Sequence, residues 1–119
     1  MSKNERRKGH RKNKQFAFQF KTIGADGNNV GPVDGILLDY SVAGIRFVTS
    51  ELLRKNTALL IELEFENFGS ESKDWRTLWQ ENEANSLQVI GSVMWCQENK
   101  QKSGEFEVGT RFVEKALQP

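Results

Sequence analysis

Cysteine occurs once in these 119 residues, at Cys96, and histidine once, at His10. A single thiol excludes an internal disulfide and every multi-cysteine metal site, and one imidazole is too few to build a zinc centre. No apolar run approaches the roughly 20 residues of a membrane span. The charged start also lacks the hydrophobic stretch of a secretory signal. A cytoplasmic protein with no membrane partner, no metal and no cofactor is therefore expected. Catalytic signatures are missing as well: there is neither a P-loop nor a strand-turn-helix serine elbow. Asp39, Ser41 and His10 do not form a hydrolase triad, because Asp39 and Ser41 lie side by side whereas a triad needs its base between them. Binding without turnover is the expectation.

At this length, with 37% hydrophobic content, the chain can bury one compact core but not two. Its formal net charge of +1 conceals a polarised layout. Positions 1–14 hold Lys3, Arg6, Arg7, Lys8, Arg11, Lys12 and Lys14 against Glu5 alone, seven minus one, or +6. The other ten basic and fifteen acidic residues give −5. The layout is that of an anion-seeking basic arm, 1–14, attached to a mildly acidic body, 15–119. The arm has almost nothing apolar to bury, so nothing in its composition offsets the entropy of fixing it, and it is expected to be flexible.

From Gln15 onward apolar residues alternate: Phe16, Phe18, Phe20; Ile36, Leu38, Tyr40; Leu59, Ile61, Leu63, Phe65; Val89, Gly91, Val93, Trp95; and Phe106, Val108, Thr110, Phe112. Period two, rich in aromatic and β-branched side chains, marks strands buried on one face. Turn signals separate them at 24–29, 41–44, 54–56 and 99–104. About six strands with short links predict an all-β fold, an antiparallel sheet curled into a small barrel, since closure removes exposed edges. One segment, 67–86, breaks the alternation. Trp75, Leu78 and Trp79 there predict one apolar face of a short helix that Ser72 could cap, packed on the barrel.

Two patterns carry the chemistry. Arg7-Lys8-Gly9-His10-Arg11 offers guanidinium forks, which bond bidentately to phosphate or to guanine O6 and N7 and also stack on a purine. His10 reads as a bystander. Asp39-Tyr40-Ser41-Val42-Ala43-Gly44 places Asp39 and Ser41 two apart at a strand end, so both face the same way. A carboxylate accepts from the N1–H and N2 amino group of guanine, a donor pair that adenine does not present there. Ser41 adds a hydroxyl, and Gly44 is expected to supply positive φ and close approach of a ligand.

These two patterns, in this order and before a β-rich chain, make the sequence resemble the PilZ domain family, bacterial receptors for the second messenger cyclic di-GMP. Arg7 to Arg11 matches the family's RxxxR and Asp39 to Gly44 its [DN]xSxxG. Gly91-Ser92-Val93-Met94-Trp95 and Gly109-Thr110-Arg111-Phe112 resemble its later strands. The resemblance implies a six-stranded antiparallel barrel in which Arg7 and Arg11 grip guanine and phosphate while Asp39 and Ser41 read the ligand. It also implies that Arg6 favours an intercalated ligand dimer, and that Trp95 stands near the ligand. Trp95 reads equally well as a core residue sharing a face with Val93. Departures are the Trp75 to Trp79 insertion and a segment after the last strand that is short for the helix often found there. Two other readings remain open: a PilZ-like adaptor that binds only a protein partner, and, less favoured, a nucleic-acid binder using the basic arm. The first reading also implies a downstream protein partner.

Overall fold

The computed structural model describes residues 12–81 and 84–116. Six strands run in chain order: β1 (Lys12–Ile23), β2 (Asn29–Ser41), β3 (Gly44–Thr49), β4 (Ala58–Glu64), β5 (Ser86–Glu98) and β6 (Phe106–Lys115). They close into a barrel in the order β1-β2-β3-β6-β5-β4, every pairing antiparallel. The four expected turn segments are the links β1–β2, β2–β3, β3–β4 and β5–β6. β1 reaches back to Lys12, three residues before the alternation becomes readable, and pairs Lys12 with Tyr40 and Asn13 with Asp39.

Alternation sends Phe18, Phe20, Leu59, Ile61, Leu63, Leu87, Val89, Val93 and Val108 into the barrel, all nearly or wholly inaccessible. In β2 the expected inward set Ile36, Leu38, Tyr40 is out of phase at its start. Leu37 is fully buried and Ile36 is 42% exposed. An irregularity between Leu37 and Asp39 in the pairing with β3 explains this. Leu37 faces Phe47 and Tyr40 faces Ile45, so Leu38 is an extra residue that lets both Leu37 and Tyr40 point inward. A similar shift between Val93 and Trp95, against β6, resets the phase of β5. Val93 is buried whereas Trp95 is 40% exposed, so Trp95 does not share the inward face expected for it.

Between β4 and β5 the chain forms a 3-10 helix (Phe65–Glu71) and α1 (Ser72–Trp79). Ser72 does not cap α1. The 3-10 helix runs directly into it, so Glu71 occupies the N-cap position in helical conformation with no side-chain cap bond, and the Ser72 N–H bonds to the Gly69 carbonyl. The expected face is also narrower than the spacing implies. Trp75 is buried and Trp79 packs on the core, whereas Leu78 stays outside at 51% exposure. Positions 75 and 79 stand one above the other while 78 sits at the far edge of that stripe. Phe68 stacks on Trp75 with centroids 4.7 Å apart, and Trp79 meets Phe112 edge-on at 5.6 Å. Lys115 of β6 holds the far end of α1, with Nζ donating to the Trp79 carbonyl (3.2 Å) and pairing with Glu81 (2.7 Å). No helix among the described residues is long and apolar enough to cross a membrane.

Candidate ligand-binding site

The tight turn between β2 and β3 organises the site. Ser41 Oγ accepts from the Ala43 N–H at 3.1 Å, closing the turn, and Ser41 then pairs with Gly44, Tyr40 with Ile45 and Asp39 with Arg46. Two adjacent rows on the barrel exterior follow from this register. One crosses Asp39 (β2), Arg46 (β3), Gly109 (β6) and Trp95 (β5); the next crosses Ser41, Gly44, Arg111 and Ser92. Tyr40, between them, points into the barrel.

Asp39 and Ser41 occupy the common outer face that their spacing predicts, with only 4% and 5% exposure. Asp39 is not free to wait for a ligand. Its Oδ2 accepts from Arg46 Nε at 2.8 Å and from Nη2 at 2.7 Å, and Arg46 Nη1 reaches Glu107 at 2.9 Å. The hydrogen bond to Asp39 raises the Arg46 guanidinium above its ordinary value; burial opposes this and Glu107 adds to it. Arg46 escapes a motif-based reading, yet its signal exists: a turn that pairs 41 with 44 pairs 39 with 46.

Gly44 has a different reason from the one expected. It is not among the positive-φ glycines. A Cβ there would stand 2.0 Å from the Thr110 carbonyl oxygen, so glycine permits β6 to pass close to the turn, where the Phe112 N–H bonds to the Ala43 carbonyl at 2.8 Å. Gly109 plays a matching part in the other row: a Cβ would meet the Trp95 indole at 2.3 Å. The indole thus lies over the Gly109 backbone with its other side outward, which removes the reading of Trp95 as a core residue.

Behind the rows, the Tyr40 hydroxyl donates to Glu71 Oε1, and its ring meets Phe68 at 4.9 Å and Trp75 at 5.3 Å. Burial foremost, and then Glu71, hold the Tyr40 hydroxyl well above the ordinary tyrosine range. The helical insertion is therefore fastened to the residue between Asp39 and Ser41. Arg6, Arg7, His10 and Arg11 lie outside the described residues, but β1 enters the barrel directly beside Asp39 and Tyr40. Among the described residues no group of three His, Cys, Asp or Glu side chains could hold a metal ion.

A closed six-stranded barrel with this motif at its β2–β3 turn is the architecture of a ligand-binding receptor domain, and the family comparison agrees. The PilZ domain model matches residues 5–118, and the chain belongs to that family. The family fold binds cyclic di-GMP. Among solved structures the chain is similar to the "PilZ domain with c-di-GMP of YcgR from Escherichia coli", with 14% identity, 91% of this chain and 78% of that chain covered, and a TM-score of 0.54. At that identity the likeness is one of fold. A comparison with curated proteins finds no match.

Proposed function

We propose that this chain is a cyclic di-GMP receptor domain that signals to a downstream protein partner in the cytoplasm without chemical turnover. The observation that carries the proposal is the register of β1, whose first residues pair with Tyr40 and Asp39, so that the chain following the RxxxR segment starts beside Asp39. Arg7 and Arg11 grip guanine and phosphate, and Asp39 and Ser41 read the guanine edge beside the turn that Gly44 lets β6 approach. Trp95 offers its outward ring face to a purine. A carboxylate has about four acceptor positions. Arg46 bonds the Asp39 carboxylate, and on this reading the guanine edge shares that carboxylate with it. Arg6 supplies a further guanidinium that offsets repulsion between the phosphates of two intercalated ligands.

Because Lys12 to Lys14 already belong to β1, the switching element is the segment before Lys12. It takes a fixed position across the barrel only when ligand neutralises its arginines, an ordering step that creates the partner surface. Calorimetric titration of the full chain with cyclic di-GMP tests the proposal. Binding is expected with two ligands per chain, and Arg7→Ala or Arg11→Ala should weaken it by one to two orders of magnitude, about 1.5 to 3 kcal/mol for each charge-assisted contact. Equal affinity for cyclic di-AMP would overturn the guanine-reading role of Asp39. A nucleic-acid binder would instead lose affinity log-linearly with salt and show no preference for the cyclic dinucleotide.

A further inference from the structure

The row that contains Ser41 and Gly44 continues to a side chain that neither motif includes. Gly44 pairs with Arg111, and Arg111 pairs with Ser92. Thr110 before it is buried, with its hydroxyl donating to the Ile45 carbonyl. Arg111 itself is exposed on the outer surface, two residues along the strand from Gly109, over which Trp95 lies. Its neighbours across the sheet, Gly44 and Ser92, are small, and the row beside it carries the Trp95 indole over Gly109. Strands are about 4.8 Å apart, which puts the Arg111 backbone about 10 Å from that of Ser41, across the Gly44 gap.

Charge distinguishes this arginine from its neighbour. Arg46 is engaged by Asp39 and Glu107, leaving that triad with one net negative charge. The Arg111 side chain makes no ion pair or hydrogen bond with any described residue. A cyclic dinucleotide carries two phosphodiester anions, and a planar guanidinium suits a phosphate bidentately where lysine offers only a point charge. We propose that Arg111 binds a phosphate of the ligand from the far side of the Gly44 gap, across from Ser41. This inference rests on the cyclic di-GMP reading of the same site.

The test is a calorimetric titration of the full chain with cyclic di-GMP, comparing the wild type with Arg111→Ala, Arg111→Gln, Arg111→Lys and the distant exposed cation variant Lys100→Ala, with thermal unfolding of each free protein alongside. Expected are a loss of affinity of about 10- to 100-fold for Arg111→Ala and Arg111→Gln, a smaller loss for Arg111→Lys, and none for Lys100→Ala, with unchanged unfolding temperatures. A wild type that does not bind would overturn the receptor reading itself. A wild type that binds while both neutral Arg111 variants bind equally well would overturn the role of Arg111 alone. Equal losses for Arg111→Ala and Lys100→Ala would assign the effect to net charge and overturn the contact, as would a loss of affinity that merely follows a lowered unfolding temperature in every Arg111 variant.

Discussion

Removing the Arg46 guanidinium leaves the 4%-exposed Asp39 carboxylate without the fork that bonds its Oδ2. Arg46→Ala is expected to destabilise the fold by about 1 kcal/mol, below the usual range of about 1.5 to 3 kcal/mol for a charge-assisted bond, because the Arg46 side chain is 35% exposed and partly screened. Urea unfolding checks this, and titration of the same variant should show weaker cyclic di-GMP binding because the carboxylate has lost its orientation. The two close-approach glycines should behave differently. In Gly44→Ala the new methyl meets a backbone carbonyl at 2.0 Å, which cannot rotate away, so a loss of about 3 kcal/mol is expected. In Gly109→Ala the obstacle is the Trp95 ring, which can swing outward; stability should fall less, while tryptophan emission and ligand affinity both change. The common face of Asp39 and Ser41 is legible from their spacing alone, and Arg46 from the hairpin register. The reason for Gly44 is not legible, because it depends on a strand more than sixty residues later. Nor is the outward turn of Trp95, because it depends on one extra residue in β5.

Among the elements, the helical insertion is joined to the site strand through the chain's single tyrosine. Tyr40→Phe keeps the ring contacts with Phe68 and Trp75 but leaves Glu71 without that donor, and should lower stability by about 1 kcal/mol in urea unfolding. Trp75→Ala removes the stacked ring itself and should cost about 3 to 5 kcal/mol. The tyrosine also predicts a pH dependence. Its folded-state pKa is raised, so the contribution is fully present below the ordinary tyrosine pKa of about 10 and is lost as pH rises beyond it, when the unfolded chain ionises and the folded one does not. Tyrosinate absorbance should therefore develop only as the protein unfolds in alkali, and Tyr40→Phe should flatten that part of the stability profile. Five of the six strands and the existence of the helix follow from periodicity, and room for β3 (Gly44–Thr49) from the turn signals at 41–44 and 54–56. The phase of β2 does not, because Leu37 and Leu38 are equally apolar and only the bulge decides between them. The missing Ser72 cap has a similar origin: a preceding 3-10 helix leaves no extended residue to act as one.

At the scale of the whole molecule, β1 is hydrogen-bonded to β2 on one side and to β4 on the other, completing the barrel. Lys12, at its start, pairs with Tyr40. Backbone lengths then set a limit on reach: the Cα of Arg11 is about 4 Å from that of Lys12, and the Cα of Arg7 at most about 18 Å from it. On the receptor reading, this covalent tie would hold Arg7 and Arg11 within that reach of the strand start and give them an effective concentration in the millimolar range at Asp39 and Ser41. Severing the chain before Lys12 should leave a barrel that still unfolds cooperatively, while a peptide of residues 1–11 added back at micromolar concentration should fail to restore ligand binding. That outcome would mean that, in the proposed receptor, two weak partners become one site through their covalent connection.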